Sequence, residues 1–207
     1  MVESLRVRIR KKKAEERRRV YSFLIGMAIV GLAFGFFFMT QREAVQKSYI
    51  YPYPYRAATE MYAALYGVDS SLVASVIMSE SKFKNDVHSH RGAIGLMQLM
   101  PETARWVAGQ LEEQDFNLEQ LHDPDTNIRY GTWYLSSLKK EFAGNEVLML
   151  AAYNAGRGNV HEWMDTYGWT MDFSAVEEIP YEETKAYVAS VLKNKKKYET
   201  LYRKNGS

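Results

Sequence analysis

The fold is decided by the stretch Leu72-Val-Ala-Ser-Val-Ile-Met-Ser-Glu80-Ser81, which leads into the glycine-bracketed segment Gly92-Ala-Ile-Gly95-Leu-Met-Gln98-Leu-Met-Pro101. Four aliphatic residues of the first stretch recur at helical spacing and predict a helix with one buried face. Glu80 lies three and four residues beyond the last two of them, so it falls on the same face. The sequence therefore places a carboxyl group at the end of an apolar helix face.

A carboxyl group in that position is suited to acid chemistry. At the edge of an apolar stripe its charged form loses hydration, so we expect the pKa of Glu80 to be raised. A raised pKa allows a carboxyl group to donate a proton near neutral pH, as the acid of a glycosidase does. A Glu at a helix end is more often a partly solvated carboxylate, so the interpretation depends on the other features of the chain.

Helical patterns continue through the rest of the chain and predict a mainly α fold. Pro101 suits the first position of a helix, and Asp69 or Ser70 offers an N-cap for the helix that ends near Glu80. The sequence contains no convincing strand pair and no internal repeat. The predicted helices cover residues 56–66, 71–81, 102–111, 127–142, 146–155, 158–167 and 182–202.

An uncharged apolar segment at residues 20–39 precedes these helices. At about 1.5 Å of rise per residue it spans roughly 30 Å, the thickness of the hydrocarbon core of a bilayer. It is too long for the apolar region of a cleaved signal peptide, and no small-residue cleavage site follows Met39, so we expect a retained signal anchor. Gly31 and Gly35 have the spacing of a helix-packing motif, which alone does not set the oligomeric state.

The charge distribution orients this segment. The first 19 residues carry nine Lys or Arg against three Glu, a net of +6, and basic flanks stay on the cytoplasmic side. The whole chain carries +2, so the remainder carries −4 and has no basic footprint for nucleic acid. The predicted division is a basic cytoplasmic stub at 1–19, the transmembrane anchor at 20–39, a stalk and extended Tyr- and Pro-rich lead-in at 40–54, and an extracytoplasmic domain at 55–207.

Two further clusters carry polar residues. Small residues surround Tyr153 and Asn154 in Ala151-Ala-Tyr-Asn-Ala-Gly156-Arg-Gly158, which lets a ligand approach this predicted helix end. Gly156 also suits a helix C-cap in the left-handed conformation, and the two interpretations are compatible. The segment Ile179-Pro-Tyr-Glu-Glu183-Thr-Lys-Ala-Tyr187-Val188 by itself predicts an amphipathic helix that begins with two carboxylates.

Taken together, these segments resemble the soluble lytic transglycosylase family, whose catalytic core is similar to goose-type lysozyme. The resemblance covers roughly residues 51–202, and it implies a lysozyme-like helical domain that cleaves peptidoglycan glycan strands. The single N-terminal anchor is most similar to the compact, membrane-anchored members. The motifs occur in the family's order as Glu80-Ser81-x-Phe83, Ser89-x-x-Gly92-Ala-x-Gly95-Leu-Met-Gln98-x-Met100-Pro-x-Thr103-Ala, Asn127-Ile-x-x-Gly131-x-x-Tyr134-Leu, Ala152-Tyr-Asn-Ala-Gly156 and Ile179-Pro-x-x-Glu-Thr-x-x-Tyr187-Val.

The resemblance assigns roles to single residues. By the family's pattern Glu80 is the sole catalytic acid and base. Ser89 and Gln98 match positions that line the cleft and orient the acid or the N-acetyl groups of the substrate. Tyr153 matches the family's active-site tyrosine, and Asn154 lies beside it. The remaining matches to substrate-binding positions are Met100, Thr103 and Glu183.

The chemistry implied by the resemblance is a lytic transglycosylation. Glu80 protonates the β-1,4 glycosidic oxygen between N-acetylmuramic acid and N-acetylglucosamine, while the acetamido group of the substrate stabilises positive charge at C1. The same carboxylate then takes the proton of the C6 hydroxyl, which attacks C1 and gives a 1,6-anhydromuramyl end. No cofactor and no metal are required. The implied partners are peptidoglycan strands and the cytoplasmic membrane, and proteins of the cell-wall or secretion machinery remain an open option.

Two alternative functions remain open on the sequence. A hydrolytic muramidase would use a second carboxylate to position water, and Asp86 is the nearest candidate, although Asn85-Asp86 is also ordinary turn chemistry. A catalytically weak scaffold would bind the cell wall and recruit division, secretion or conjugation machinery.

Other notable side chains are interpreted as structural. Cysteine is absent, which excludes disulfides, thiolate metal sites and a cysteine nucleophile. His88 and His90 are interpreted as loop residues, because one His pair without a third ligand is weak support for a metal. Tryptophan is more often a core residue than a sugar-stacking platform, so we expect burial for most of Trp106, Trp133, Trp163 and Trp169.

Overall fold

The computed structural model describes residues 2–202 and divides into two compact units, with the boundary between Ile50 and Tyr51. The first unit is built on helix α1 (Val2–Thr40), which runs through the predicted stub as well as the predicted anchor. Its segment Glu15–Thr40 is long and apolar enough to cross a membrane, and the apolar side chains of that segment are exposed. Met1 and residues 203–207, the ends of the predicted stub and domain, lie outside the described residues.

The polar segment after α1 is more helical than expected. It forms a short helix, α2 (Glu43–Val45), and a π-helical turn at Gln46–Ile50. The Tyr- and Pro-rich lead-in was predicted to be extended, which is wrong for Tyr49 and Ile50. The reason is that Pro52 disfavours helix only in the residue directly before it, which is Tyr51.

The second unit is built from helices, and this confirms the mainly α prediction. Within residues 51–202 no β-strand forms, and isolated bridges join Ile94 to His88 and to Leu99. Short 3-10 turns at Leu118–His122 and Val176–Glu178 were not predicted. The helices are α3 (Arg56–Tyr66), α4 (Ser70–Glu80), α5 (Pro101–Gln110), α6 (Pro124–Glu141), α7 (Glu146–Ala155), α8 (Arg157–Tyr167) and α9 (Glu182–Tyr202).

Two helix ends differ from the prediction for identifiable reasons. Helix α6 starts earlier than residue 127, because the Asp123 side chain accepts a hydrogen bond from the Thr126 N–H at 2.9 Å and Pro124 fills the first turn. Helix α7 ends at Ala155, and its C-cap residue Gly156 has φ 94° and ψ 146°, which is not the predicted left-handed helical conformation. Helix α8 begins at the next residue, so Gly156 turns the chain directly from one helix into the other.

Helix α4 forms the centre of this unit. Asp69, one of the two predicted candidates, caps it by accepting from the N–H groups of Ser71 at 2.7 Å and Leu72 at 3.4 Å. All residues from Ser71 to Ile77 are buried, so the helix is enclosed on all sides and not on one face only, and it packs chiefly against α9. Its last residue, Glu80, is only partly buried. The carboxyl group therefore lies where a core helix reaches the surface.

Tyrosines of the lead-in pack against the C-terminal part of α9. Tyr198 donates a hydrogen bond to the carbonyl of Pro52 at 2.9 Å, and Tyr202 donates to the carbonyl of Tyr51 at 2.7 Å. The ring of Tyr53 lies 5.4 Å from that of Tyr198. These contacts attach the chain before α3 to the last helix, so the packed unit begins at Tyr51.

Candidate active site

The carboxyl group of Glu80 has an unusual electrostatic environment. Its pKa is raised to about 7, chiefly because burial removes water from the charged form. The hydroxyl group of Tyr187 opposes this rise, and the negative charge of Glu183 adds to it. A large fraction of Glu80 is therefore protonated at neutral pH and able to donate its proton. This confirms the expectation of a raised pKa.

Two tyrosines from different helices face Glu80. Tyr153 on α7 donates its hydroxyl to the carbonyl of Met97 at 2.8 Å, and burial followed by the charge of Glu80 raises its pKa well above the ordinary value. The hydroxyl oxygen of Tyr187 on α9 is buried and has no hydrogen-bond partner of ordinary geometry among the described residues. Burial and the charge of Glu80 raise the pKa of Tyr187 in the same way. Both phenols are therefore neutral at physiological pH, and Tyr187 has a donor to offer the carboxyl group.

The start of α9 brings two more polar groups to this end of the domain. Glu183 is exposed, and the guanidinium of Arg91 approaches its carboxylate at 3.9 Å. The hydroxyl of Thr184 donates to the side-chain oxygen of Asn154 at 2.8 Å, which joins the end of α7 to the start of α9. Asn154 also carries two amide N–H groups that can donate to a ligand.

Ser89 and Gln98 contact the backbone of the loop between α4 and α5. The Ser89 hydroxyl accepts a hydrogen bond from the N–H of Ala93 at 2.9 Å. The Gln98 amide donates to the carbonyls of Val87 and Gly95, both at 2.8 Å. In the structure these two side chains hold the loop in shape, and their direct action on substrate stays a prediction.

Met100 and Thr103 lie where this loop enters α5. Met100 directly precedes Pro101, which fills the first turn of the helix as predicted, and 41% of Met100 is exposed. Thr103 faces a depression of about 220 Å³ next to the Glu80 environment, since the ring of Tyr134 in its wall lies 5.5 Å from that of Tyr153. The residues that line the depression are Glu102, Thr103, Trp106, Tyr134 and Arg157.

Asn127 is the residue that fixes the loop to the helical body. Its buried side chain accepts from the N–H of Met97 at 2.8 Å and donates to the carbonyls of Ile94 at 3.0 Å and Leu121 at 2.9 Å. Since Met97 in turn accepts from Tyr153, Asn127 sets the position of a tyrosine that faces Glu80. The geometry at this end of the domain is thus a proton-donating carboxyl group, two neutral phenols and a firmly held glycine-rich loop.

The family model described as Transglycosylase SLT domain matches residues 57–175. The chain belongs to the transglycosylase SLT domain family. The matched range contains Glu80, the loop and Tyr153, whereas Glu183 and Tyr187 on α9 lie C-terminal to it. The membership confirms the resemblance that the motifs indicated.

Relatives of this SLT domain include soluble and membrane-bound proteins. The soluble lytic murein transglycosylase of Escherichia coli K12 is 36% identical over 155 residues, which are 74% of this chain and 23% of that protein. A membrane-bound lytic murein transglycosylase C of Haemophilus ducreyi is 28% identical and covers 66% of this chain and 43% of its own length. The chain therefore spans about a quarter of the length of the soluble relatives. The membrane-bound relatives and the apolar segment of α1 together indicate membrane anchoring.

Solved structures confirm the lysozyme-like fold of the SLT domain. The 70-kDa soluble lytic transglycosylase SLT70 of Escherichia coli has a TM-score of 0.68 and 35% identity over 72% of this chain and 25% of its own. An inactive mutant of the lytic transglycosylase Slt from Pseudomonas aeruginosa, in which one Glu is replaced by Gln, has a TM-score of 0.66 and 37% identity over 72% and 24%.

Tyr187 and Arg91 lie in the candidate SLT site, although neither was among the predicted site residues. Tyr187 stood in a family motif, four residues after Glu183 on one helix and therefore on the same face, but it was given no role. For Arg91 the sequence gives no signal, since an exposed loop residue has no periodicity. The candidate second carboxylate, Asp86, lies on an exposed turn. His88 and His90 are exposed as well, and the described residues contain no group of three or more potential metal ligands.

Proposed function

We propose that this protein is a membrane-anchored peptidoglycan lytic transglycosylase. It would cleave the β-1,4 bond between N-acetylmuramic acid and N-acetylglucosamine and form 1,6-anhydromuramyl ends during cell-wall remodelling. The observation that carries the proposal is the Glu80 carboxyl group of an SLT domain, with a pKa raised to about 7 beside two neutral tyrosines. A group with that pKa can serve first as an acid and then as a base, since both of its forms are populated at neutral pH.

In the first step protonated Glu80 gives its proton to the glycosidic oxygen, and the bond from C1 to that oxygen breaks. The acetamido group of the substrate itself would stabilise the positive charge at C1, so no enzyme nucleophile is needed. In the second step the Glu80 carboxylate takes the proton of the C6 hydroxyl, whose oxygen bonds to C1. Glu80 ends in its starting form and no water is consumed.

The neighbours of Glu80 support this double role. The Tyr187 hydroxyl is a donor beside the carboxyl group, so it would stabilise the carboxylate that exists between the two steps. The Tyr153 hydroxyl is already bound to the Met97 carbonyl, so we assign its ring to the wall of the site. Burial of the carboxyl group keeps competing water away from C1.

The residues proposed to bind the glycan differ in how they would act. Asn154 has amide N–H groups for the acetamido carbonyls of the substrate, and Glu183 borders the site with an exposed carboxylate. Met100 and Thr103 would contact the strand along the start of α5. Ser89 and Gln98 would act by fixing the shape of the loop, because both side chains bind its backbone.

We propose a single-pass topology in which the N-terminus is cytoplasmic and the SLT domain is extracytoplasmic. The net charge of +6 in the first 19 residues supports this orientation, since basic flanks are retained on the cytoplasmic side. The location of peptidoglycan outside the cytoplasmic membrane requires the same orientation for activity.

The test is mass spectrometry of fragments released from purified sacculi by the full chain in detergent, with Glu80→Gln as the control. Anhydromuramyl ends that depend on Glu80 support the proposal. Reducing muramic ends would make the protein a hydrolase and turn attention to Asp86 as the residue that positions water. Absence of products from the folded wild-type protein on several kinds of sacculi would favour the scaffold.

A binding probe separates a misfolded preparation from an inactive one. The 70-kDa soluble lytic transglycosylase has been solved in complex with bulgecin A, at 34% identity to this chain. We propose that bulgecin A binds the Glu80 site of this protein too. Calorimetric binding of bulgecin A by a preparation that releases no products would show that the site is formed and that the proposed chemistry is wrong.

A further inference from the structure

A row of aromatic rings leads from the Glu80 site to the surface between α5 and α6. We propose that this aromatic track, formed by the indoles of Trp106 and Trp133 beside the buried ring of Tyr134, is a second glycan-contacting surface, on which the two indoles hold saccharide units of the bound strand away from the bond being cleaved. The inference rests on the proposed function, because its ligand is the same polymer. It adds a strand-length preference to that function.

The aromatic track is continuous with the candidate site. Tyr153, which faces Glu80, lies with its ring 5.5 Å from that of Tyr134. The ring of Tyr134 lies 6.0 Å from that of Trp106, and the Trp106 ring lies 5.3 Å from that of Trp133. Each ring meets the next within the range of direct aromatic contact. The track is therefore a physical extension of the Glu80 environment.

The surface along the track contains two depressions. Trp106 lines the depression of about 220 Å³ beside Thr103, and Trp133 lines a second depression of about 360 Å³. Because the two indoles are in contact, the two depressions are adjacent and offer a linear ligand successive binding positions. The second depression is lined by Leu65, Tyr66, Gln110, Trp133, Ser136, Ser137 and Lys140.

The tryptophans of the track are more exposed than a core tryptophan. Trp163 is a core residue of this domain, and only 5% of it is exposed. By contrast, 36% of Trp106 is exposed, and Trp133 is only partly buried. The expectation that most of the four tryptophans are buried is therefore wrong, because Trp163 alone among them is buried. Neither track indole donates a hydrogen bond to another described residue. A large amphipathic ring that stays partly exposed is suited to an interface.

The charged groups at the rim of the track are balanced. The guanidinium of Arg157 lies 5.2 Å from the centroid of the Trp106 ring, and it is paired with the carboxylate of Glu141 at 2.6 Å. The rim also carries one acid, Glu102, and one base, Lys140, so its charges balance. An aromatic floor with hydroxyl and amide groups and little net charge fits a neutral sugar better than a polyanion or an apolar helix.

The test measures binding without cleavage. Full-length Glu80→Gln protein in detergent is titrated calorimetrically with β-1,4-linked N-acetylglucosamine oligomers of increasing length. We expect affinity to increase with length, and we expect the added Trp106→Ala change to weaken binding of the longest oligomers by about threefold to tenfold. The loss should be smaller for the shortest oligomers. Trp106→Phe should restore part of the affinity, because it keeps a ring in place.

Two further variants make the result specific. Trp169→Ala is the matched control, since Trp169 is partly buried and stacks on Phe173 at 3.8 Å, outside the track. It should bind every oligomer like its parent. Gln110→Ala, a change at an exposed residue that lines the second depression, tests that depression if Trp106→Ala does not fold.

The outcomes separate this inference from the proposed function. Equal affinity of folded Trp106→Ala and its parent for long oligomers would overturn the track, even if the wild-type protein releases anhydromuramyl ends. Affinity that does not depend on oligomer length would overturn it as well. A length-dependent loss in a protein that releases no anhydromuramyl ends would support the track as a glycan-binding surface and refute the lytic activity.

Discussion

The Tyr187 hydroxyl lies close enough to Glu80 to shift the pKa of its carboxyl group, yet it forms no hydrogen bond of ordinary geometry with any described residue. The two side chains come from α4 and α9, which pack closely against each other along the core. A buried hydroxyl without a partner destabilises a fold, typically by about 1–3 kcal/mol. The Tyr187 hydroxyl is thus a donor that a charged Glu80 carboxylate or a bound substrate can use.

The first prediction concerns Tyr187→Phe. The hydroxyl lowers the pKa of Glu80, so its removal should raise that pKa and move the alkaline limb of the kcat/KM profile to higher pH. We also expect kcat at the optimum to fall by about tenfold or more, because the intermediate carboxylate loses a donor. The measurement is the rate of anhydromuramyl release between pH 5 and 9.

Tyr181→Phe is the control for that change. Tyr181 is 49% exposed just before α9, with its ring 4.9 Å from that of Trp163. Its profile should match the wild type. A Tyr187→Phe profile whose alkaline limb stays in place would mean that the two groups do not interact in solution.

The second prediction concerns Glu183→Gln. The charge of Glu183 raises the pKa of Glu80, so the neutral variant should move the alkaline limb to lower pH, in the direction opposite to Tyr187→Phe. Because Glu183 is exposed, the shift should be a few tenths of a pH unit and should shrink as salt is added. Glu182→Gln is the matched control, since Glu182 is the adjacent exposed carboxylate and pairs with Lys185 at 2.7 Å. An equal shift in both variants would contradict a specific effect of Glu183.

The third prediction is that Glu80→Gln stabilises the folded domain at alkaline pH. The folded pKa of about 7 lies above the ordinary value of 4.5, so the contribution of Glu80 to stability is fully present below about pH 4.5 and is lost as the pH rises through 7. Glutamine stays neutral and avoids that loss. We expect a gain on the order of 2 kcal/mol at pH 8 and none at pH 4.

Denaturant unfolding at the two pH values measures this difference. Glu162→Gln serves as the control, because Glu162 is exposed on α8 and should show no such pH dependence. If Glu80→Gln is equally stable relative to wild type at both pH values, the carboxyl group is not buried as described.

Part of the geometry around Glu80 could be predicted from the sequence. The position of Glu80 follows from local helical spacing, and the start of α5 at Pro101 follows from the chemistry of one turn, so pattern alone was sufficient there. Pattern left Asp69 and Ser70 as alternative caps of α4, and Asp69 is the residue that caps it. The relation of Glu80 to Tyr187 depends on how α9 packs onto α4, which periodicity within either helix does not encode. The same holds for Asn127, whose three hydrogen bonds reach the loop and Leu121.

Loop side chains were the least predictable part of the site. The sequence identified Ser89 and Gln98 as polar residues in a functional loop, but a hydroxyl or amide there can bind either backbone or ligand. The conformation of the loop determines whether the partner is backbone or ligand. In this structure Ser89 and Gln98 bind backbone N–H and carbonyl groups. The exposure of Trp106 likewise depends on how α5 and α6 meet, and composition favoured burial.

The fourth prediction concerns the anchor. A soluble fragment that begins at Gln41 keeps the whole compact unit from Tyr51 onwards, so it should cleave isolated glycan like the full chain. On intact cells we expect it to act about tenfold less effectively or worse, because the anchor supplies local concentration near the wall. The acidic remainder of the chain, at −4, gives no cationic attraction to replace it. Equal activity of the two forms on cells would refute this role of the anchor.

The fifth prediction compares two glycines of the loop between α4 and α5. Gly95 has φ +77°, and a Cβ there would lie 2.2 Å from the side-chain nitrogen of Asn127 and 2.7 Å from the carbonyl of Leu121. Gly92 has a similar φ of +85°, but its Cβ would meet nothing within 4 Å. The two positions therefore share backbone strain and differ in steric conflict.

Gly92→Ala should lower the free energy of unfolding by about 1 kcal/mol, from strain alone. Gly95→Ala should lower it by about 3 kcal/mol or more, because the Cβ displaces the Asn127 side chain that anchors the loop. Since Asn127 also holds Met97, the acceptor of Tyr153, catalytic activity should fall with stability in Gly95→Ala but not in Gly92→Ala. Chemical denaturation and kcat/KM on sacculi measure both effects. Equal losses in the two variants would show that strain, and not the contact with Asn127, determines the need for glycine at this point of the loop.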